Sequence, residues 1–483
     1  MSAESIGVRL KDIDLSEPSN IDKLELTSSE YKIGLMKTLF FTTIALFVFF
    51  IPLQINGESN ILFGVIYNFF IDLFGNVGLW LIMILTIVNA ILSIYAKYLS
   101  KGVDSAIDRY YEHDSKYHPI FYLLGAVFTT IYTLHVTFAW FSGPEFIVGS
   151  GTGGTVIPFI VLAVAWIIPV GAFFMPFLIS YGGIDFIGTI LEPIMRPVFK
   201  VPGKSAVDAI SSFVSSSSMA VLITSRLYKT NNYTKKEAAT ISTCFSAVSV
   251  GFAVLVINTA GLENDFIKIY FSSLIAAFII AAVMVRIPPL SKKENVYYNG
   301  RLQTEEERNN EAKFELGVFK RGLDRAVKRA YTAPSIITEI QSTLKDGYIV
   351  LPKVITLLSG VGISGLIIAE YTPFFEYLGL LFIPILNLFQ VPAASEIAAS
   401  LPVGIAEMFL PVLLIADNVD VIPEAARYFV TAVSMVQIIF FSETVVVMIA
   451  TRLPIKFKEL IIAFLLRTLI AIPIVSIMMH IMY

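Results

Sequence analysis

Cysteine is nearly absent. The chain has one, Cys244, which excludes an intramolecular disulfide framework and a cysteine-based zinc site. Charge is scarce too: 15% of the 483 residues are charged against 56% hydrophobic, a balance too apolar for a soluble globular protein. The net charge of −3 offers no basic surface for nucleic acid. No GxxxxGK[ST] phosphate loop occurs, so ATP is not expected to act directly. A secretory leader is also missing. The first thirty residues carry Asp12, Asp14, Glu17, Asp22, Glu25 and Glu30, not a basic, apolar and then small-residue pattern, and residues 1–33 are expected to form a cytoplasmic tail.

What is present is a series of long apolar runs. A helix needs roughly 20 apolar residues to cross a hydrocarbon core. Nine stretches qualify: 34–52, 77–95, 120–141, 156–180, 238–258, 266–285, 350–369, 428–450 and 460–481. Lys and Arg in short loops mark the cytoplasmic face. Loops 54–60, 142–155, 259–265 and 372–417 contain neither, whereas Lys97, Lys101, Arg109, Arg196, Lys200, Arg226, Lys229, Arg452 and Lys456 fall on the other side. The alternation holds only if 204–229 and 393–417 dip into the membrane and return to the same face. The expectation is a multi-pass protein of the inner (plasma) membrane with a cytoplasmic N-terminus.

Those two segments carry most of the information. The first, PGKSAVDAISSFVSSSSMAVLITSRLYK, has two arms around Ser215, Ser216, Ser217 and Ser218. Arms of about twelve residues reach roughly 18 Å, half a membrane. The second, PAASEIAASLPVGIAEMFLPVLLIAD, is expected to turn at 400–404, where Pro402 and Gly404 lie. Irregular backbone at membrane depth needs protein or a water-lined cavity to satisfy it, so hairpin tips mark a pathway. One ordinary crossing helix is the alternative for each segment, but it breaks the charge alternation downstream. Each hairpin follows an amphipathic stretch ending in proline, 184–202 or 374–392, and precedes a Glu-Ala-Ala that opens a span at Glu237 or Glu424. Three crossings per unit invert the second copy relative to the first. The expected fold is an all-α polytopic membrane protein with about nine transmembrane helices, two re-entrant hairpins and two inverted repeats. Its parts are scaffold helices at 34–155, a first repeat at 156–286 with hairpin 204–229, a charged cytoplasmic loop at 287–345, and a second repeat at 346–483 with hairpin 393–417.

The stretch from IMRPVFKVPGKSAVDAISSFVSSSSMAVL to KKEAATISTCFSAVSVGFAVLVIN resembles the nucleoside-recognition, or Gate, domain, and the second copy is similar. From about residue 156 onward the chain resembles the YjiH-type branch of that superfamily. It is more distantly similar to concentrative nucleoside transporters and to the permease part of ferrous-iron transporters. The nucleoside-binding Gln, Glu and Asn pattern has no residue-by-residue match here. The resemblance implies a mobile core of two hairpins and two partly unwound helices, sliding against the remaining spans within a homo-oligomer.

Several polar residues in apolar surroundings are candidates for the site. Glu443 is the only acid in its span, and an intramembrane carboxylate is a functional hypothesis by default; an ion pair with Arg467 is the competing role. Ser442 and Thr444 flank it and bind either solute or freed backbone. Gln437, near mid-span, can make four hydrogen bonds, to a solute or between helices. Ser242, Ser246 and Ser249 share one helix face and, with the Ser215–Ser218 cluster, offer hydroxyls to Na⁺ or to a polar organic group; close helix packing is the plainer role. Glu407 follows the second tip, near Ser400, and aligns with Ser217. Glu396 is expected near the outer mouth. His135 suits a scaffold hydrogen bond better than a proton relay, and Cys244 suits packing better than iron.

These residues point to a secondary-active transporter of a small polar organic solute, amino-acid-like or nucleoside-like and cationic or zwitterionic, moved by an elevator-type mechanism. Na⁺ or H⁺ is the expected coupling ion; no cofactor and no catalytic residue is expected. The competing classes are a metal-ion permease using Cys244, Met219 and Met408, an intramembrane enzyme, for which Ser217 with Glu407 is a poor catalytic set, and a structural or sensory membrane protein.

Overall fold

Apolar runs become helices because a chain in lipid must satisfy its own backbone. The computed structural model describes residues 21–483 except 23, 50, 56–57, 101–104, 113, 115, 215–216, 246–249, 310–316, 417 and 442. Ser215, Ser216, Ser246, Ser249 and Ser442 lie outside the described residues, as does the side chain of Ser218. Among the described residues, seven helical stretches are long and apolar enough to cross a membrane: Ser28–Phe49, Leu62–Leu99, His118–Thr137, Glu145–Ile179, Glu263–Met284, Ile336–Tyr371 and Phe457–Met482. The architecture is that of an all-α polytopic membrane protein.

The elements in chain order begin with α1 (Ser28–Phe49), the ribbon β1 (Pro52–Ile55) and β2 (Glu58–Ile61), α2 (Leu62–Ile94), α3 (His118–Thr137) and α4 (Leu162–Ile179). The second span is longer than 77–95, and a kink divides it at Gly75, where φ is 44°, a conformation that glycine adopts without a Cβ clash. Next come the amphipathic α5 (Gly183–Phe199) and a helical hairpin of α6 (Ser205–Val214) and α7 (Ser217–Lys229). The stretch 238–258, continuous by hydropathy, is broken into α8 (Lys235–Cys244) and α9 (Val250–Thr259) before α10 (Phe266–Met284).

The charged segment 287–345 is not simply a loop. It contains α11 (Gly317–Thr332), which buries Val318, Gly322, Ala326, Val327 and Ala330 and packs on α1 and α5. After α12 (Ile336–Leu357) come two short apolar helices, Phe374–Gly379 and Ile383–Leu388, and then the second hairpin, with α13 (Ser400–Val403) and α14 (Leu410–Ala416). The apolar stretch 428–450 is also broken, into α15 (Glu424–Gln437) and α16 (Thr444–Ala450), and α17 (Phe457–Met482) closes the chain.

Two packed bodies result. In the first, α2, α3, α4 and α12 pack on one another. A Cβ on Gly125 would lie 2.1 Å from the Thr356 carbonyl oxygen, and one on Gly360 2.2 Å from that of Phe121. Both glycines let helix backbones touch. In the second body, α10, α15 and α17 pack together with both hairpins and both broken helices. The bodies meet where α7 lies on α4 and α16 lies on α12. A cleft at this seam is lined by Ala172, Ser225, Arg226, Lys229, Asp346 and Val350. Arg226 ion-pairs with Asp346 across it.

Candidate functional site

A helix that stops inside an apolar body leaves carbonyls without intrahelical partners, and the hairpins and α17 supply those partners. At the first break, Ser212 of α6 donates its hydroxyl to the Phe245 carbonyl at 2.8 Å. At the second, Ile438 turns left-handed with φ 48°, a strained geometry for a β-branched residue. Around it the Phe441 N–H donates to the Ile405 carbonyl at 2.7 Å, and Ser434 donates to the Met408 carbonyl at 2.5 Å. Thr444 stitches the break internally, accepting from the Phe440 N–H at 3.0 Å and donating to the Ile438 carbonyl at 3.0 Å. Each hairpin is therefore bonded to the break of the helix that follows it.

Gln437 ends α15 and is buried. Its amide nitrogen donates to the Leu401 carbonyl at 2.7 Å and to the Thr468 hydroxyl at 3.0 Å. Its amide oxygen has no partner among the described residues and faces Gly404, where a Cβ would come within 1.9 Å of it. Gln437 is thus interhelical glue with one free acceptor. The second hairpin turns over 404–409 and not at 400–404. Pro402 sits in the first turn of α13, where a missing N–H is tolerated. Ser400 accordingly lies on the arm, buried, donating to the Ile397 carbonyl at 2.6 Å. Glu407 does lie in the turn. Its carboxylate is nearly buried and accepts from the Phe409 and Leu410 N–H groups that open α14.

Glu443 begins α16, half-buried, within electrostatic reach of Glu407 and of Tyr67 on α2. It forms no ion pair with Arg467 among the described residues. Arg467 lies fully buried on α17 and donates to two carbonyls, Val436 of α15 and Thr243 of α8, the latter at 3.4 Å. The partial negative charge of those two helix ends faces the guanidinium.

Comparison with known proteins adds to this geometry. Residues 161–263 match the family model described as Gate, nucleoside recognition. The chain is 32% identical over 477 residues to an uncharacterized protein of Alkalihalophilus pseudofirmus, covering 96% of this chain and 99% of that one. The chain belongs to the nucleoside-recognition, or Gate, family. It is also 33% identical over 84 residues to the sporulation integral membrane protein YlbJ of Bacillus subtilis, covering 16% of this chain and 21% of that one. The matched Gate segment runs from α4 to the end of α9, so it contains the first hairpin and the first break.

The remaining candidates fall in and around the Gate core. Ser217 opens α7 and is buried. Ser242 donates to the Ala239 carbonyl of its own helix at 3.2 Å. His135 accepts from the Gly143 N–H at 3.2 Å in the other body, away from the breaks. Glu396 is exposed. Cys244 sits at the first break beside Arg467 and Thr243; an adjacent guanidinium makes it a poor ligand for a metal cation. Among the buried ionisable groups that went unremarked in the sequence, two lie in this core. Asp208 of α6 accepts from the Tyr233 hydroxyl at 2.6 Å, and its other oxygen has no partner among the described residues. Arg427 of α15 donates to the Ala260 and Gly261 carbonyls beyond α9, at 2.8 and 2.9 Å. Their signal was a lone charge in an apolar stretch, which is also what drew attention to Glu443.

Proposed function

We propose that this Gate-family chain is a secondary transporter of a small polar organic solute. One observation carries the reading: two short helical hairpins bond to the breaks of the two helices that follow them, an arrangement recurrent where solutes cross at mid-membrane. Half-helices with satisfied but re-formable ends make such a core able to change shape. In this reading 156–286 and 346–483 are inverted repeats. Reciprocal packing supports it: α7 of the first hairpin lies on α16 of the second broken helix, and α14 of the second hairpin lies on α9 of the first. The core slides against the body of α2, α3, α4 and α12 in an elevator-type movement, coupled to Na⁺ or H⁺. In this reading the N-terminus and the base of the first hairpin face the cytoplasm of a plasma-membrane protein, which the Lys and Arg of the short loops support. The test is flux into proteoliposomes, with labelled amino acids and nucleosides supplied under separate Na⁺ and H⁺ gradients. Gradient-driven accumulation of an organic solute is expected. Passage of divalent metal ions with no organic flux would overturn the reading.

A further inference from the structure

We propose that the transported solute carries a carboxylate and that the Arg467 guanidinium receives it. The inference rests on the transport reading above and deepens it. Arg467 is fully buried, and no carboxylate among the described residues pairs with it. Its Nε and one terminal nitrogen reach the Val436 and Thr243 carbonyls, and the Cys244 thiol lies beside the guanidinium, while Nη2 has no hydrogen-bond partner among the described residues. A buried cation is ordinarily paired, and this one has two carbonyls and a thiol around it but no carboxylate among the described residues.

Arg427 provides an internal comparison. It too binds the end of a half-helix, through the Ala260 and Gly261 carbonyls, but its Nε reaches the Ile422 carbonyl at 3.1 Å and its Nη2 lies 3.8 Å from a Glu424 oxygen. Arg427 is thus a helix clamp with its donors engaged. Arg467 makes the same kind of clamp and keeps one donor over. That donor lies where the ends of α8 and α15 come together. Immediately beside it in sequence, Thr468 bonds Gln437, whose amide oxygen is also buried and unpartnered. A carboxylate matches the guanidinium fork. An ammonium or hydroxyl on the same solute could donate to the Gln437 oxygen. A nucleoside, carrying no anion, would leave Arg467 uncompensated, so the chemistry favours an amino-acid-like solute over a nucleoside-like one.

The test uses the purified full chain and its thermal midpoint. Probes are the free L-amino acids and short mono- and dicarboxylates, each beside its own carboxamide or methyl ester, with uridine and adenosine as uncharged solutes, all at constant chloride. At least one carboxylate is expected to raise the midpoint while its amide does not. In Arg467→Gln the concentration needed is expected to rise about ten- to hundredfold, as for loss of a charge-assisted hydrogen bond, with Arg467→Lys between the two. A shift with nucleosides and none with any carboxylate overturns the proposal, and so does an Arg467→Gln response equal to wild type. If Arg467→Gln fails to fold, the acid-against-amide comparison on the unaltered chain decides by itself. Uptake assays keep the two readings apart: nucleoside flux would sink the carboxylate and keep transport, whereas a carboxylate that binds at Arg467 but never crosses would sink transport alone.

Discussion

Gly404→Ala is a sharp probe of how the second hairpin is held. Its backbone is ordinary, with φ −56°, so Gly→Ala there should stabilise by about 0.4–1 kcal/mol through the unfolded chain. The new Cβ, however, would lie 1.9 Å from the Gln437 amide oxygen. A free amide would swing aside at little cost. This one is tethered by its nitrogen to Leu401 and Thr468 at 2.7 and 3.0 Å. Moving it breaks two hydrogen bonds, about 1 kcal/mol each, and strands buried polar groups for about 1–3 kcal/mol more. The net expectation is a destabilisation of about 2–4.5 kcal/mol. Gln437→Ala should destabilise too, by emptying the same two bonds. The decisive quantity is the double mutant: with the amide gone the Cβ has room, so Gly404→Ala on a Gln437→Ala background should be harmless or slightly favourable. Thermal midpoints of the four proteins in detergent measure the cycle. Strict additivity would refute the idea that a tethered Gln437 clamps the hairpin against its helix break.

Gly125→Leu and Gly360→Leu should each abolish monodisperse protein on size exclusion, because their side chains would run into main-chain carbonyls at 2.1 and 2.2 Å, which cannot rotate away. Asp185 on α5 anchors Lys204 at 2.5 Å and Arg329 at 3.5 Å. Burial pushes its carboxyl up, but Lys204, Arg329 and Arg325 outweigh that and hold it at about 2. Its contribution is therefore complete above the unfolded value of about 3.9 and is lost as pH falls toward 2. Asp185→Asn should cost about 3–5 kcal/mol at pH 7 by leaving Lys204 buried and unpaired, and the gap in thermal midpoint from wild type should close below pH 4 and stay constant from pH 6 to 8. Asp346→Asn removes the ion pair across the seam. Asp346 is 52% exposed, so stability should change by no more than about 1 kcal/mol, whereas the uptake rate should change by up to about fivefold; an unchanged rate would mark the pair as surface decoration.

Much of the scaffold was legible because a lipid-spanning helix announces itself by length and apolarity, and loop charge gives its direction. The breaks were not. Ile438 lies in a stretch with neither proline nor glycine, and the glycine of the other stretch, Gly251, comes six residues after Phe245. Only the likeness to Gate proteins implied unwound helices there. Arg467 illustrates the same limit. An ion pair with Glu443 is what the sequence offers it, but the carbonyls of Val436 and Thr243 become available only once the helices break, a fact of tertiary structure. Pro402 misplaced the second turn for a local reason: proline breaks a helix interior but is welcome in its first turn. The pairing of Ser212 and Ser434 with carbonyls at the breaks is likewise invisible until the hairpins fold back.

If the core moves against the scaffold, a reversible tether across their seam must stop it. Ser225 and Val350 line the cleft from opposite bodies, and replacing both with cysteine in a Cys244→Ser background allows a short, reducible bis-thiol reagent to join them. The account predicts that solute flux in proteoliposomes stops when the tether forms and returns when it is reduced, with either single cysteine unaffected by the reagent. Full flux through quantitatively tethered protein would contradict it.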